Sequence, residues 1–102
     1  MVEIKLPESI KVGGYDYDIV SDTETDRELL LNNYYAEQQG TLQRLAFDTH
    51  LTPQRLSESF IHEVLHAIDH VYLCGKLEEE EIAGISNGLF QVLEQLGVRF
   101  TK

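Results

Sequence analysis

A long amphipathic helical pattern in the second half of the chain constrains the fold more than any other feature. It starts at Thr52 and Pro53, because Thr is a frequent N-cap residue and Pro fits the first position of a helix. The apolar residues that follow recur at the spacing of one helix face: Leu56, Phe60, Val64, Ile68 and Val71. The pattern predicts a helix that runs to about Tyr72 and ends before Gly75.

A second helical pattern follows and begins in the acidic run at residues 78–81. Acidic side chains are favourable in a first helical turn, because they face the positive end of the helix dipole. The apolar face of this segment consists of Ile82, Ile85, Leu89, Val92, Leu93 and Leu96. Gly97 is a typical residue to end a helix, and residues 98–100 predict a short terminal strand.

The first half of the chain has the pattern of short strands separated by turns. The Gly13-Gly14 pair supplies the positive φ angles of a tight hairpin turn between two such strands. The predicted elements are strands at residues 4–6, 10–12, 15–20, 34–36 and 41–47, with a short helix within residues 21–33. We therefore predict a single α+β domain over residues 1–102, in which a small antiparallel or mixed sheet precedes two helices.

The charge balance excludes some classes of partner. The 102 residues include 18 acidic and 8 basic side chains, and the net charge is −10. Nucleic-acid-binding proteins need a basic face, so we expect no nucleic-acid partner. No apolar run reaches the roughly 18 to 20 residues that cross a bilayer, and the first residues do not form a secretory signal. Cys74 is the lone cysteine, which fits a reducing compartment, so we expect a cytoplasmic protein without a membrane partner.

The chemistry of the chain is concentrated in the segment His62-Glu63-Val64-Leu65-His66, inside the first predicted helix. Residues four apart share a helix face and are about 6 Å apart along the axis, so both imidazoles can reach one ion. His62 and His66 are therefore candidate ligands of a single Zn²⁺. Glu63 borders the same face and is the candidate general base for a water that attacks a metal-polarised carbonyl. The alternative is that both His side chains lie on a polar surface and bind nothing.

This segment, extended through Ala67-Ile68-Asp69, resembles the active-site helix of zincin-type metallopeptidases. The wider pattern resembles a group of short zincin-like proteins from phages, prophages and bacteria. Those proteins begin with an L-P-x-x-I-x-V-G-G-like hairpin, found here at residues 6–14, and end with an E-E-x-[VI]-x-x-[LI] helix, found here at residues 79–85. More distantly, the chain is similar to peptidases that cleave phage repressors. The resemblance implies a zincin fold, one zinc ion as cofactor and hydrolysis of peptide bonds.

A third metal ligand has to come from outside this segment. His70 lies about 12 Å along the helix axis from His62, whereas ligands of one tetrahedral Zn²⁺ are about 3.4 Å apart. We therefore expect His70 to be an exposed residue at the helix end. In the peptidases that the chain resembles, a Glu lies three residues before the first apolar position of the next helix. That position is Glu79 here, and its neighbours Glu78 and Glu80 or a water are the alternatives.

Two further segments have predicted supporting roles. Asp69 follows His66 by three residues, so it is either the acceptor of an N–H from a ligand imidazole or a solvated helix residue. The strand at residues 41–47 is the candidate edge strand that pairs with an extended substrate above the metal helix, as the zincin resemblance implies.

Two functions from different classes follow from these predictions. The first is a minimal zinc-dependent metallopeptidase that hydrolyses peptide bonds in a peptide or protein substrate. The second is a non-catalytic, zinc-containing protein-binding module of phage or bacterial origin. Glu63 separates the two, because a structural zinc site needs no carboxylate base beside its ligands and usually fills its fourth position with protein. The presence of Glu63 therefore favours catalysis.

Overall fold

A computed structural model describes residues 2–102, and within that range the chain is an α+β protein with six strands and three helices. In chain order these are β1 Val2–Lys5, β2 Ser9–Val12, β3 Tyr15–Val20, α1 Thr23–Leu31, β4 Ala36–Gln39, β5 Arg44–Phe47, α2 Pro53–Tyr72, α3 Glu79–Gln95 and β6 Val98–Thr101. Both long helices and the β2–β3 hairpin are confirmed close to their predicted limits. The strand predicted at residues 34–36 begins later, because the Tyr34 N–H still bonds Leu29 O at 2.8 Å, in the turn that ends α1.

The larger sheet is mixed and has the strand order β2-β3-β5-β4. The pairs β2–β3 and β4–β5 are antiparallel, whereas β3 and β5 are parallel and are joined through α1 and β4. The prediction that residues 41–47 form the substrate-facing edge is wrong. Within the described part of the chain, β5 has hydrogen-bonded neighbours on both sides, and its neighbour β4 is an edge strand that contacts α2.

A second, two-stranded sheet joins the beginning and the end of the described chain. β1 and β6 are parallel, with Val2 opposite Val98 and Lys5 opposite Thr101. The Phe100 N–H donates to the Ser57 hydroxyl of α2 at 3.1 Å. This bond ties β6 to α2, a contact between residues 43 positions apart.

The apolar face of α2 lies in the centre of the core. Leu56, Phe60 and Ala67 are buried on this helix against Tyr17, Leu45 and Phe47 of the sheet. Full burial of one large apolar side chain stabilises a fold by about 1.5–3 kcal/mol, so this contact fixes the rotation of α2 about its own axis. The polar side of the same helix is thereby held in one direction.

The α3 helix packs against α2 along one face only. Its buried residues are Ile82 and Ser86, whereas Ile85 and Leu89 remain nearly half exposed. The face between Ile82 and Ser86 therefore determines how α3 approaches α2. Neither α3 nor any other helix in residues 2–102 has the length and apolar character needed to cross a bilayer.

The Asp26 carboxylate holds α1 against the loop that leads into α2. It accepts the Thr49 N–H at 2.8 Å and the Thr49 hydroxyl at 2.5 Å. The hydrogen bonds from the Thr49 hydroxyl and then from its N–H hold the pKa of Asp26 below its ordinary value of 3.8. The folded state therefore favours the ionised carboxylate.

We predict that Asp26→Asn lowers the melting temperature at neutral pH. Because the folded-state pKa is depressed, the ionised Asp26 stabilises the fold above its unfolded-state pKa. That stability is lost as the pH falls through the lower folded-state pKa. The difference in melting temperature between the parent and the variant should accordingly shrink below about pH 4. Thermal melts from pH 2.5 to 7 measure it, and Asp18→Asn, at an exposed carboxylate of β3, is the control. A difference in melting temperature that does not change with pH would contradict the stabilising role of the ionised Asp26 carboxylate.

Candidate metal centre

His62 and His66 lie one turn apart on α2, and their rings converge at the tips. The two Nε2 atoms are 3.2 Å apart, and the ring centroids are 4.9 Å apart. The side chains are 23% and 28% exposed, so they are half-buried but can be reached by a small ion. The four-residue spacing in the sequence therefore produces the convergence of imidazoles that the helix geometry predicts.

Glu79, the first residue of α3, brings its carboxylate to both rings. Its Oε1 atom is 2.9 Å from His62 Nε2, and its Oε2 atom is 2.9 Å from His66 Nε2. Within the described residues, His62, His66 and Glu79 form a group whose donor atoms lie close enough to share one ion, and neither Glu78 nor Glu80 belongs to it. The Glu78 N–H instead donates to Glu81 Oε1 at 2.8 Å, inside the first turn of α3.

The turn between α2 and α3 positions Glu79, and Asp69 stabilises that turn. The Asp69 side chain is only 5% exposed, and its Oδ1 atom accepts the Leu77 N–H at 3.1 Å. Its backbone carbonyl also accepts N–H groups from Leu73 and Gly75, at 2.9 and 3.1 Å. Neither sequence-based interpretation of Asp69 is therefore right. Its carboxylate is buried and bonds the chain between the helices, and the imidazole acceptor is a different residue.

That acceptor is Ser86, which the sequence analysis missed. The Ser86 side chain is fully buried on α3, and its Oγ atom is 3.2 Å from His62 Nδ1. The same hydroxyl is placed to donate to Ala83 O at 3.1 Å, which leaves its lone pairs free to accept from His62. In the tautomer that this arrangement favours, His62 carries its proton on Nδ1 and directs the Nε2 lone pair toward Glu79. A Ser two helical turns after Glu79, on the apolar side of α3, is the sequence signal that would have identified it.

The donor atoms fit a small divalent cation. The lone pair of His62 Nε2 faces a carboxylate oxygen and a second imidazole nitrogen, and such contacts between acceptors are repulsive unless a positive charge lies among them. A proton on His66 would satisfy one of these contacts, whereas a divalent ion would satisfy all three. The separations of 2.9–3.2 Å are close to the roughly 3.4 Å between ligands of a tetrahedral Zn²⁺.

Glu63 lies beside this group and is not part of it. The side chain is 8% exposed, and burial raises the pKa of its carboxyl to about 7. The negative charges of Glu79 and then of Glu37 add to the rise, and the Gln38 backbone N–H opposes it. A cation held by the neighbouring donors would favour the ionised form of this carboxylate.

A cleft of about 630 Å³ opens above these residues, between α2 and the edge strand β4. The Asp48 N–H bonds Tyr35 O at 2.8 Å, and Glu37 is opposite Ala46 in the register. In an antiparallel pair, alternate residues bond the partner strand. Ala36 and Gln38 therefore direct their backbone groups away from β5, into the cleft.

His70 lies apart from His62, His66 and Glu79, as its distance along α2 predicts. Its ring borders a smaller cavity of about 260 Å³, together with Tyr15, Tyr17 and Gly40. A second group of donors among the described residues, Asp26, Asp48 and His50, is already bonded internally. His50, for example, donates its backbone N–H to Asp48 Oδ1 at 2.7 Å.

Comparisons of the chain with protein-family models, with curated proteins and with solved structures found no significant match. Function is therefore inferred from the residues of this site and their geometry, since a fold alone does not define an activity.

We predict that Ser86→Ala weakens divalent-cation binding by about tenfold, because an acceptor that orients a metal-binding imidazole typically contributes 10- to 100-fold in affinity. The variant leaves the His62 Nδ1–H without its partner and removes one buried hydroxyl. Competition between the protein and a chelating dye for Zn²⁺ measures the affinity. Asn87→Ala, on the adjacent exposed position of α3, is the matched control and should bind as the parent does. Equal affinities for Ser86→Ala and the parent would remove Ser86 from the site.

We also predict that Glu79→Ala weakens Zn²⁺ binding, whereas His70→Ala leaves it unchanged. Glu79 contacts both imidazoles at 2.9 Å, and His70 belongs to a different cavity. Loss of one of three protein ligands should lower the affinity by at least about tenfold. The same dye competition ranks the two variants, and the reverse ranking would show that the third ligand is misassigned.

Proposed function

We propose that this chain is a zinc-dependent metallopeptidase of the zincin type, which hydrolyses peptide bonds. His62, His66 and Glu79 would hold one Zn²⁺ ion, and Glu63 would be the general base. The observation that carries the proposal is the convergence of two imidazole Nε2 atoms and one carboxylate, from two helices, beside a buried second carboxylate. The resemblance of the HExxH helix to that of zincins supports the same function.

The donor set favours zinc over harder cations. Mg²⁺ and Ca²⁺ prefer shells of oxygen ligands, whereas two imidazoles and one carboxylate are a usual ligand set of catalytic zinc. Three protein ligands also leave a coordination position for water or substrate, and the cleft gives access to it. The proposed cofactor follows from the chemistry of these three side chains.

Bound Zn²⁺ would supply Lewis-acid chemistry, which polarises a peptide carbonyl and lowers the pKa of water. The residues of the chain would supply orientation and proton transfer. Ser86 fixes the His62 ring through Nδ1, and Asp69 fixes the turn that presents Glu79. Glu63, in the wall of the same cleft, would accept a proton from the attacking water at its carboxylate and then donate it to the leaving amine.

The edge strand β4 supports an extended peptide as the substrate. The backbone groups of Ala36 and the carbonyl of Gln38 point into the cleft, opposite the metal-binding face of α2, while the Gln38 N–H faces Glu63. A peptide in extended form can pair with such an edge by adding a strand to the sheet. Its scissile carbonyl would then lie over His62, Glu63 and His66.

The competing function is a zinc-containing module that binds a protein without hydrolysing it. Glu63 argues against that function. In the described residues this buried carboxylate makes no salt bridge, and burial of an unpaired carboxylate disfavours its ionised form. A purely structural site has no use for such a residue, whereas a general base has to be close to the reacting water.

We predict that Glu63→Gln retains Zn²⁺ and loses peptide hydrolysis. Gln preserves the shape of the side chain but cannot accept a proton, and loss of a general base typically costs about 10²- to 10⁴-fold in rate. Zinc content and the rate of cleavage of a peptide library are measured on the same preparation.

His62→Ala is the control for this experiment, because it should lose both the metal and the activity. Unchanged activity in Glu63→Gln would show that Glu63 is not the base. Loss of zinc from that variant would make Glu63 a ligand. A zinc-loaded parent that cleaves no peptide in a broad library would favour the protein-binding module.

A further inference from the structure

The cleft contains more negative charge than the proposed metal and base require. Glu37, Glu58, Glu63 and Glu79 line it, and its lining contains no Lys or Arg among the described residues. None of the four carboxylates makes an ion pair with a Lys or Arg in that part of the chain. A bound Zn²⁺ would offset two of these four charges. The two carboxylates that the proposed chemistry does not use, Glu37 and Glu58, would remain uncompensated.

Glu37 and Glu58 lie on opposite walls of the cleft. Glu37 belongs to the edge strand β4, and Glu58 is on α2, one helical turn before His62. Glu37 Oε1 accepts from Gln39 Nε2 at 2.7 Å, which leaves its second oxygen without a partner among the described residues. A group that enters between β4 and α2 would therefore meet a carboxylate from each side.

A buried hydroxyl provides an independent sign that this region takes a polar ligand. Ser59 is 3% exposed and lines the cleft, and its Oγ atom has no hydrogen-bond partner among the described residues. Buried hydroxyls are nearly always hydrogen-bonded, so this atom has unused hydrogen-bonding capacity at the wall of the cleft. A polar group of a ligand, such as an N–H donor, would use it.

The mouth of the cleft adds two aromatic rings. Tyr34 and Tyr35 are 53% and 48% exposed, and both line the opening. Aromatic faces attract guanidinium and ammonium groups. Carboxylates on two walls, an unpartnered hydroxyl and aromatic rings at the rim are together the environment of a nitrogen cation.

We propose that the region between Glu37 and Glu58 is a subsite for a cationic group of the peptide substrate, close to the scissile bond. The inference rests on the proposed peptidase function for the identity of the ligand as a peptide. The shared chemistry is a nitrogen cation, which either an Arg or Lys side chain or a free peptide N-terminus can supply. Glu37 and Glu58 would bind the cation, and Ser59 would accept one of its N–H groups.

The test is a binding measurement on the full, zinc-loaded chain that carries Glu63→Gln, which should retain the metal, so that the peptides bind without being cleaved. The probes are short peptides with acetylated N-termini and amidated C-termini that carry either Arg or its neutral isostere citrulline. We expect the Arg peptide to bind at least about tenfold more tightly than the citrulline peptide. The measurement is made in about 0.15 M salt, which screens the general attraction of a cation to a chain with net charge −10. A third peptide with a free N-terminus and no basic side chain tests the other source of the cation.

Charge-neutralising variants locate the subsite. Glu37→Gln and Glu58→Gln should each lower the preference for Arg over citrulline by about 3- to 10-fold, and Ser59→Ala should lower it less. Glu3→Gln, the same substitution at an exposed position of β1, changes the net charge equally and should leave the preference unchanged. If the three Glu variants behave alike, the attraction comes from the overall charge, and the subsite is overturned.

The remaining outcomes separate the subsite from the peptidase proposal. A preference for Arg that depends on Glu37 and Glu58, in a protein that cleaves no peptide, would support the subsite while contradicting the enzyme. Cleavage without any such preference would support the enzyme and overturn the subsite. If the peptide with a free N-terminus and no basic side chain binds as tightly as the Arg peptide, the result would support the cation subsite and assign it to the peptide terminus.

Discussion

The burial of one face of α2 is the constraint on which the rest of this structure depends. Leu56, Phe60 and Ala67 are packed against the mixed sheet, so the helix cannot rotate about its axis without exposing them. Since residues on a helix have fixed angular relations, burial of that face also fixes the direction of His62 and His66. The candidate metal centre is thus positioned by apolar packing on the other side of the same helix.

The site itself gathers several carboxylates around one cleft. Glu63 is buried with a raised pKa, and Glu79 and Glu37 line the same cleft. Like charges held together disfavour their own ionised forms unless cations join them. A divalent ion at the imidazoles and a nitrogen cation between β4 and α2 would relieve this repulsion at two separate places. The proposed metal, base and substrate preference thus have one electrostatic origin.

The predictions of the fold succeeded where a local pattern was sufficient. The Thr52-Pro53 start and the helical spacing gave α2 its observed limits, Pro53–Tyr72, and the Gly13-Gly14 pair gave the hairpin. They failed on strand pairing. The segment predicted as the substrate-facing edge, residues 41–47, contains the internal strand β5, and β4 forms the edge. Pairing joins residues distant in sequence, and hydrophobic alternation does not indicate which strand will be the neighbour.

The sequence by itself determined the convergence of His62 and His66, because four residues of α-helix place two side chains on one face whatever surrounds them. It also placed Glu63 beside them. The tertiary structure decided the contact between Glu79 and both rings, the support of His62 by Ser86, and the opposition of carboxylates across the cleft. Those relations depend on how α3 and β4 pack against α2, and no periodicity within one segment specifies the distance between two segments.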